Sequence, residues 1–382
     1  MNLKWTRSSF AFLLLAALAA CTQNFSTRQV KATIPYAVAV GFSDWIEERR
    51  TEDNIPGVAV TIVQGKDILL IKGFGDRDVE NNLPVTTDTL FHIGSTHKSM
   101  TALLIATLVD DGTVDWDTPA IDIDPDFELE NEYSTESVTL RHLLSMRSGI
   151  SEEAEDDFDV DNASAEDLFD YIAEVELLGE PGEVFSYSNV ASSITGYLAV
   201  LAVDPESKDL YKGYADLLQE RVLDPVGMEN STIYTAEARQ DPNYSRSYII
   251  NNGDWIEAES YDLENDPLAP SGSLKASIID MAKYIIMQVN RGVADDGTRV
   301  VSEENVLATW EPEWDDYAMG WQTDEYKGTE LIYHEGAYDN FASIIGVIPE
   351  YNIGFVVLTN CEEASVSLLE DTPSQIIDLL LE

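Results

Sequence analysis

Ser95 and Lys98 stand three residues apart in the stretch TLFHIGSTHKSMTALLIATLVDDG, and of the ten lysines in the chain Lys98 alone has a serine at −3. In a helix, residues i and i+3 are neighbours, so this spacing puts an amine beside a hydroxyl. Met100, Leu103, Leu104, Thr107 and Leu108 recur at helical spacing. Ser95 is therefore read as the N-cap of a helix and Gly112 as its stop. The helix body is almost wholly apolar, so it is expected to be buried, with Lys98 partly desolvated. Desolvation lowers a lysine pKa, and a neutral lysine can take a proton from serine. The first N–H groups of the helix are placed to meet a developing oxyanion. The bland alternative is a capped core helix carrying a stray lysine.

Two further polar groups recur later in the chain. Tyr187-Ser188-Asn189 follows a turn at Pro181-Gly182 and opens an apolar helix. His334-Glu335-Gly336-Ala337 lies on a late strand, behind Leu331-Ile332. His92, His97 and His142 are read as structural. A Ser-His-Asp triad is disfavoured because no G-x-S-x-G elbow occurs. No His or Cys pair has zinc-ligand spacing. Asp122-x-Asp124-x-Asp126 and Asp157-x-Asp159-x-Asp161 begin like calcium loops but lack the glycine at position 6 and the glutamate at 12. Both are read as solvated acidic surface, and no metal or cofactor is implied.

The order Ser95/Lys98, Tyr187-x-Asn189, His334-x-Gly336 resembles the serine β-lactamase and penicillin-recognising family, in its class C-like branch of β-lactamases, D-alanyl-D-alanine carboxypeptidases, D-aminopeptidases and serine esterases. The resemblance runs from about Phe42 to Asn360 and includes TLRHLLSMRSGI, LAPSGSLKASIIDMAKY and YAMGWQ. It implies an acyl-enzyme hydrolase with Ser95 as nucleophile. Lys98 and Tyr187 would share general-base and proton-relay work, with the first proton acceptor left open between them. Asn189 would position a substrate amide or orient Lys98. His334 stands where β-lactamases carry the lysine of their K-T-G motif. Gly336 would let the substrate backbone approach the strand, and the N–H groups of Ser95 and Ala337 would form the oxyanion hole. Glu335 replaces the K-T-G threonine. If it faces the cleft it repels carboxylate-bearing substrates; strand alternation could instead turn it to the far face. The missing K-T-G lysine places ester or amide/peptide hydrolysis ahead of β-lactam hydrolysis. The competing reading is a non-catalytic lipoprotein of the same fold that binds peptidoglycan or stabilises a surface complex.

The elements that must position these groups follow from the pattern. SDWIEERRTEDNIPG predicts a helix from Phe42, with Asp44 and Glu47 as a capping box. GVAVTIVQGKDILLIKGFG predicts a hairpin turning at Gly65-Lys66-Asp67. SVTLRHLLSMRSGI predicts a short helix ending at Gly149, followed by an acidic loop from Ser151 to Asp167. SIIDMAKYIIMQVNRG predicts a helix with Ser277 and Asp280 as its box and Gly292 as its stop. YAMGWQTDE, ELIYHEGAYDNFASIIGVIP and YNIGFVVLTN predict three strands, with a turn at Pro349-Glu350-Tyr351-Asn352. A last helix is expected over Thr372–Leu381. No repeat or linker divides the chain. The resulting class is α+β: one antiparallel sheet from both chain ends (about 41–90 and 266–382), flanked by helices, and a mostly helical middle (about 91–265).

Residues 1–20 carry Lys4 and Arg7, then the apolar run Phe10–Ala20, and end Leu18-Ala19-Ala20-Cys21. The run is short for a bilayer span and reads as a leader. Its end resembles a lipobox, which implies export, a lipid-modified Cys21, a tether over 21–40 and anchoring to the cell envelope. Composition bounds the partners. The chain has 71 Asp+Glu against 22 Lys+Arg, a net charge of −49, and removing a leader with two cations and no acid takes this to −51. Nucleic acid is a poor partner for such a surface. The acids are spread along the chain, a halophile-like pattern. At molar salt the Debye length falls to about 3 Å, which screens the self-repulsion.

Overall fold

The computed structural model describes residues 36–314 and 316–381. The expected leader, Cys21 and the part of the expected tether up to residue 35 lie outside the described residues. Helix α1 spans Tyr36–Glu52, so residues 36–40, expected within the tether, are helical, and Asp44 lies inside the helix rather than at its cap. Val38, Phe42 and Ile46 recur every four residues and are buried together, and this stripe carries the helix back past Asp44. Glu47 instead holds the Arg50 guanidinium, at 2.7 and 2.9 Å.

Seven strands form the main sheet: β1 (Gly57–Gln64), β2 (Asp67–Asp78), β3 (Leu83–Pro84), β4 (Gln322–Tyr326), β5 (Thr329–Tyr338), β6 (Phe341–Ile348) and β7 (Ile353–Thr359). Their spatial order is β3-β2-β1-β7-β6-β5-β4, and the pairings are antiparallel. The expected sharing of one sheet by both chain ends is therefore observed, with β1 against β7. The β1–β2 hairpin turns at Gly65-Lys66 with Gln64 opposite Asp67. The single long strand expected over ELIYHEGAYDNFASIIGVIP is two. Asp339 and Asn340 take φ of +51° and +64°, the left-handed pair of a two-residue hairpin turn, and Tyr338 faces Phe341. Tyr338-Asp339-Asn340 has the same Tyr-x-Asn spacing as Tyr187-Ser188-Asn189, but it forms this turn and opens no helix. In YAMGWQTDE the strand begins only at Gln322.

Alternation divides the central strands between two cores. Val58, Val60, Ile62, Ile344, Phe355 and Val357 face α1 and the last helix, α5 (Glu362–Leu381). Ala59, Val63, Ile345, Val347, Val356 and Leu358 face the opposite core. There α4 (Ile278–Val289) covers the sheet and α2 (Lys98–Asp110) and α3 (Asn189–Val203) fill the middle of the molecule. Ser277 caps α4 through Asp280 N–H (3.3 Å). The Asp280 carboxylate closes no box, turning instead to Asn230 N and Ser231 Oγ. Helix α5 starts ten residues before the predicted Thr372, with Pro373 inside it. The helix of TLRHLLSM is only Leu140–Leu144, broken where Met146 adopts φ +61°.

Candidate active site

Ser95 is not an N-cap. It sits in a 3₁₀ turn, Gly94–His97, that runs straight into α2 at Lys98. The turn is clamped to the sheet by hydroxyls: Ser343 Oγ on β6 and Thr96 Oγ1 both donate to Ile93 O, at 2.6 and 2.8 Å. Two glycines permit the close approach of turn and strand. Gly94 has φ +52°, and a Cβ there would lie 2.5 Å from Ala337 N. A Cβ on Gly336 would lie 2.3 Å from Ile93 O and 2.8 Å from Ser95 N. A side chain at either position would push the nucleophile turn off the strand.

Every residue of α2 from Lys98 to Leu108 is buried, the pattern of a helix surrounded by protein. Lys98 is 1% exposed. Its Nζ donates to Ser95 Oγ at 2.9 Å, to Asn189 Oδ1 at 2.6 Å and to Ser271 O at 3.0 Å. Burial pushes its pKa down to about 7, opposed by the charge of Glu155. At neutral pH a large fraction of the amine is therefore unprotonated and able to accept the Ser95 proton.

Tyr187 and Asn189 come from the entry to α3. Ser188 is the true cap, accepting from Ala191 N at 3.2 Å. The unusual Met146 backbone brings this segment in: its carbonyl accepts from Ser186 N at 2.9 Å. The Tyr187 ring lies under Lys98 Nζ, 4.8 Å from the ammonium to the centroid. Burial holds its hydroxyl well above the ordinary phenol range, an effect opposed by its hydrogen bond with Ser95. Tyr187 is thus a protonated donor at rest, whereas Lys98 is the group already poised near neutrality.

His334 is buried, with Nδ1 2.5 Å from Glu335 O and Nε2 3.0 Å from Tyr317 Oη. The carbonyl only accepts, so Nδ1 carries the proton and Nε2 accepts from the tyrosine. Burial, then the Lys98 charge, hold its pKa down to about 3. It is a neutral ring and supplies no positive charge where K-T-G enzymes have one. Among the other histidines, His92 bonds Asp262 at 2.9 Å, His97 bonds Tyr214 at 3.1 Å, and His142 closes a capping box with Thr139.

Strand β4 pairs with β5 only from Thr329 to Tyr333, so among the described residues no strand neighbours the β5 edge from His334 onward on that side. The two-residue hairpins at both ends of β5 fix the hydrogen-bonding phase. Even residues pair with β6, and the N–H and C=O of Glu335 and Ala337 point to the open edge. Ser95 stands at this edge, where two cavities meet. One, of about 370 Å³, is lined by Ser95, Asn189, Ala337, Glu155, Asp266 and Tyr338 among others. The second, of about 420 Å³, includes Ser95, Tyr187, His334, Glu335, Glu362 and Glu370. Among the described residues no lysine or arginine lines either. Glu335 answers both alternatives. It lies on the opposite strand face from His334 and Gly336, yet it reaches the cavity mouth. Burial and the Glu370 charge raise its pKa.

Three contributors escaped the sequence reading. Glu155 lies in the acidic loop, where nothing distinguishes one acid from the next. Ser271 acts through a backbone carbonyl, which no side-chain motif reports. Tyr317 lies within YAMGWQ, a landmark of the resemblance that carried no assigned role.

A family model described as Beta-lactamase matches residues 42–376. The chain is 29% identical over 338 residues to the unguisins hydrolase ungD' of Aspergillus campestris, covering 83% of this chain and 60% of that protein. It is 27% identical over 337 residues to protein flp of Staphylococcus aureus, covering 87% of this chain and 65% of that one. The chain thus spans about 60–65% of the length of these relatives. Among solved structures it resembles the octameric penicillin-binding protein homologue from Pyrococcus abyssi, with a TM-score of 0.72 and 27% identity over 87% of this chain and 77% of that one. A structure titled SurE, at TM-score 0.71 and 20% identity over 88% and 76% of the two chains, shares the fold.

Proposed function

Because the chain belongs to the beta-lactamase family, we propose that it is a serine hydrolase working through an acyl-enzyme on Ser95, of the class C-like branch and of esterase or amide/peptidase type. The observation that carries this reading is the 2.9 Å contact between Ser95 Oγ and a lysine amine buried enough to titrate near neutrality. Neutral Lys98 takes the Ser95 proton as Oγ attacks the substrate carbonyl. The resulting oxyanion is held by the N–H groups of Ser95 and Ala337, and the proton passes through Lys98 or Tyr187 to the leaving group. Water then enters by the same relay and releases the acid.

Substrate charge separates the possible activities. The cavities carry Glu155, Asp161 and Asp266 on one side and Glu335, Glu362 and Glu370 on the other. Neutral esters and substrates with a free amine fit such walls, whereas penicillins and peptides ending in D-Ala-D-Ala bring a carboxylate. Like charges a few ångströms apart cost about 1–4 kcal/mol at these dielectrics. β-Lactam turnover is accordingly expected to be weak or absent. The relative named as a hydrolase supports hydrolysis in this lineage. We also propose export and lipid anchoring through Cys21, on the leader sequence alone.

Labelling with a fluorophosphonate probe, followed by intact mass, tests the reading. One adduct on the wild type and none on Ser95→Ala, with an unchanged melting curve, is the expected result. Labelling that persists in the variant removes Ser95 as the nucleophile, and a wild type inert to the probe and to acyl esters overturns the reading in favour of a non-catalytic binding protein.

A further inference from the structure

Lys98 has three neighbours within hydrogen-bond distance, but a neutral amine has two N–H bonds and one lone pair. To serve as a base toward Ser95, the amine must spend both N–H bonds elsewhere and aim the lone pair at Oγ. Ser271 O is a fixed acceptor. Asn189 is not, because its amide presents either an oxygen or an NH₂ depending on a rotation of its end group. With the NH₂ toward Lys98, Asn189 would compete for the lone pair that Ser95 needs.

Glu155 Oε2 lies 2.7 Å from Asn189 Nδ2. An ionised carboxylate only accepts, so it holds the NH₂ on its own side and leaves Oδ1 facing Lys98. Glu155 is itself held in place. It ends a 3₁₀ turn, Glu152–Glu155, capped by Ser151 and seated on buried Ala154. Ala154 O accepts from Tyr171 Oη at 2.5 Å, and Glu152 N donates to Ser186 Oγ at 2.9 Å. The last bond ties the turn to the segment that carries Tyr187.

We propose that Glu155 is a positioning residue for the Ser95–Lys98 pair, locking the Asn189 amide so that the lysine lone pair faces the serine while its negative charge sets the pH at which that lone pair becomes available. The inference rests on the acyl-enzyme reading of Ser95. The other groups around Lys98 do not carry the same charge. Tyr187 is held protonated, and His97 and His334 are held neutral by burial. Asp161 shares the cavity wall with Glu155, and Glu155 is the carboxylate whose field favours the Lys98 ammonium.

The test compares wild type, Glu155→Gln and Glu155→Ala in the pH dependence of acylation by a neutral activated ester. Site-resolved ¹³C NMR of Lys98 in the three full-length proteins reports the lysine titration directly. Glutamine keeps an acceptor for Asn189 and removes the charge, so the acidic limb should move down by roughly one pH unit, and the NMR midpoint with it. Alanine removes both, so the limb should move and the plateau rate should also fall, by tenfold or more. Midpoints identical in all three proteins overturn the proposal even if rates fall, because a merely structural loop would lower rates without moving a titration. A wild type that is never acylated on Ser95 defeats the hydrolase reading instead, and the NMR midpoints still decide whether Glu155 controls Lys98.

Discussion

Replacing Lys98 by methionine tests the energetic premise of the site without any substrate. The folded chain holds the Lys98 ammonium in a place 1% exposed, with a pKa of about 7 against 10.5 for the free side chain. The sign of the stability effect follows. Below pH 7 the lysine is protonated in both states, and the folded state bears the full cost of the buried charge. Between pH 7 and 10.5 the folded state has released the proton that the unfolded state still binds, so unfolding free energy rises with pH. The slope reaches about 1.4 kcal/mol per pH unit above the folded pKa, which integrates to about 2.3 kcal/mol from pH 7 to pH 9. Lys98→Met leaves Asn189 Oδ1 and Ser271 O without their donor, a loss of about 1–3 kcal/mol each. That loss does not depend on pH, and groups titrating in both proteins cancel in the difference. Urea unfolding of both proteins at pH 6, 7, 8 and 9 in high salt should therefore give a gap, wild type minus variant, that is flat from pH 6 to 7. It should then climb by about 2–3 kcal/mol to pH 9. A gap that stays level across the range would refute the depressed lysine, and with it the argument that Lys98 is the resting base.

Gly336→Ala sets a Cβ 2.3 Å from Ile93 O and 2.8 Å from Ser95 N; it should cost about 1–3 kcal/mol in a melt and lower kcat by about a hundredfold through a displaced oxyanion donor. Wild-type turnover in that variant would contradict the assigned role of the strand edge. Glu335→Thr should gain selectively on a carboxylate-bearing acyl substrate over a neutral ester, and equal changes on both would remove Glu335 from the substrate's reach. The net charge of −49 predicts a thermal midpoint that falls as salt drops from molar to millimolar, since unscreened acids repel; a flat midpoint would argue that the acids are arranged without strain.

The sequence by itself determined the order of the chemistry and the elements that carry it. A serine three residues before a lysine, ahead of an apolar helical run, dictates their adjacency, because helical turns bring i and i+3 together whatever surrounds them. Hairpin chemistry at Gly65-Lys66 and the alternation of the late strands were local signals too, and they led to one sheet built from both ends. What local pattern could not give was decided by packing. Ser95 turned out to lie in a 3₁₀ turn clamped by Ser343 from a strand some 250 residues away, not at a cap. The missing element starts at Tyr36 and Glu362 were set by the apolar stripes that dock on the sheet, which outweigh capping preferences. Strand alternation turned Glu335 away from His334, yet the fold places it among the residues that line the cavity shared by Ser95, Tyr187 and His334. Above all, only the fold could distinguish Glu155 among 71 acids. Its role comes from a 2.7 Å contact with one end of an amide on another element, and no spacing within a linear sequence encodes such a contact.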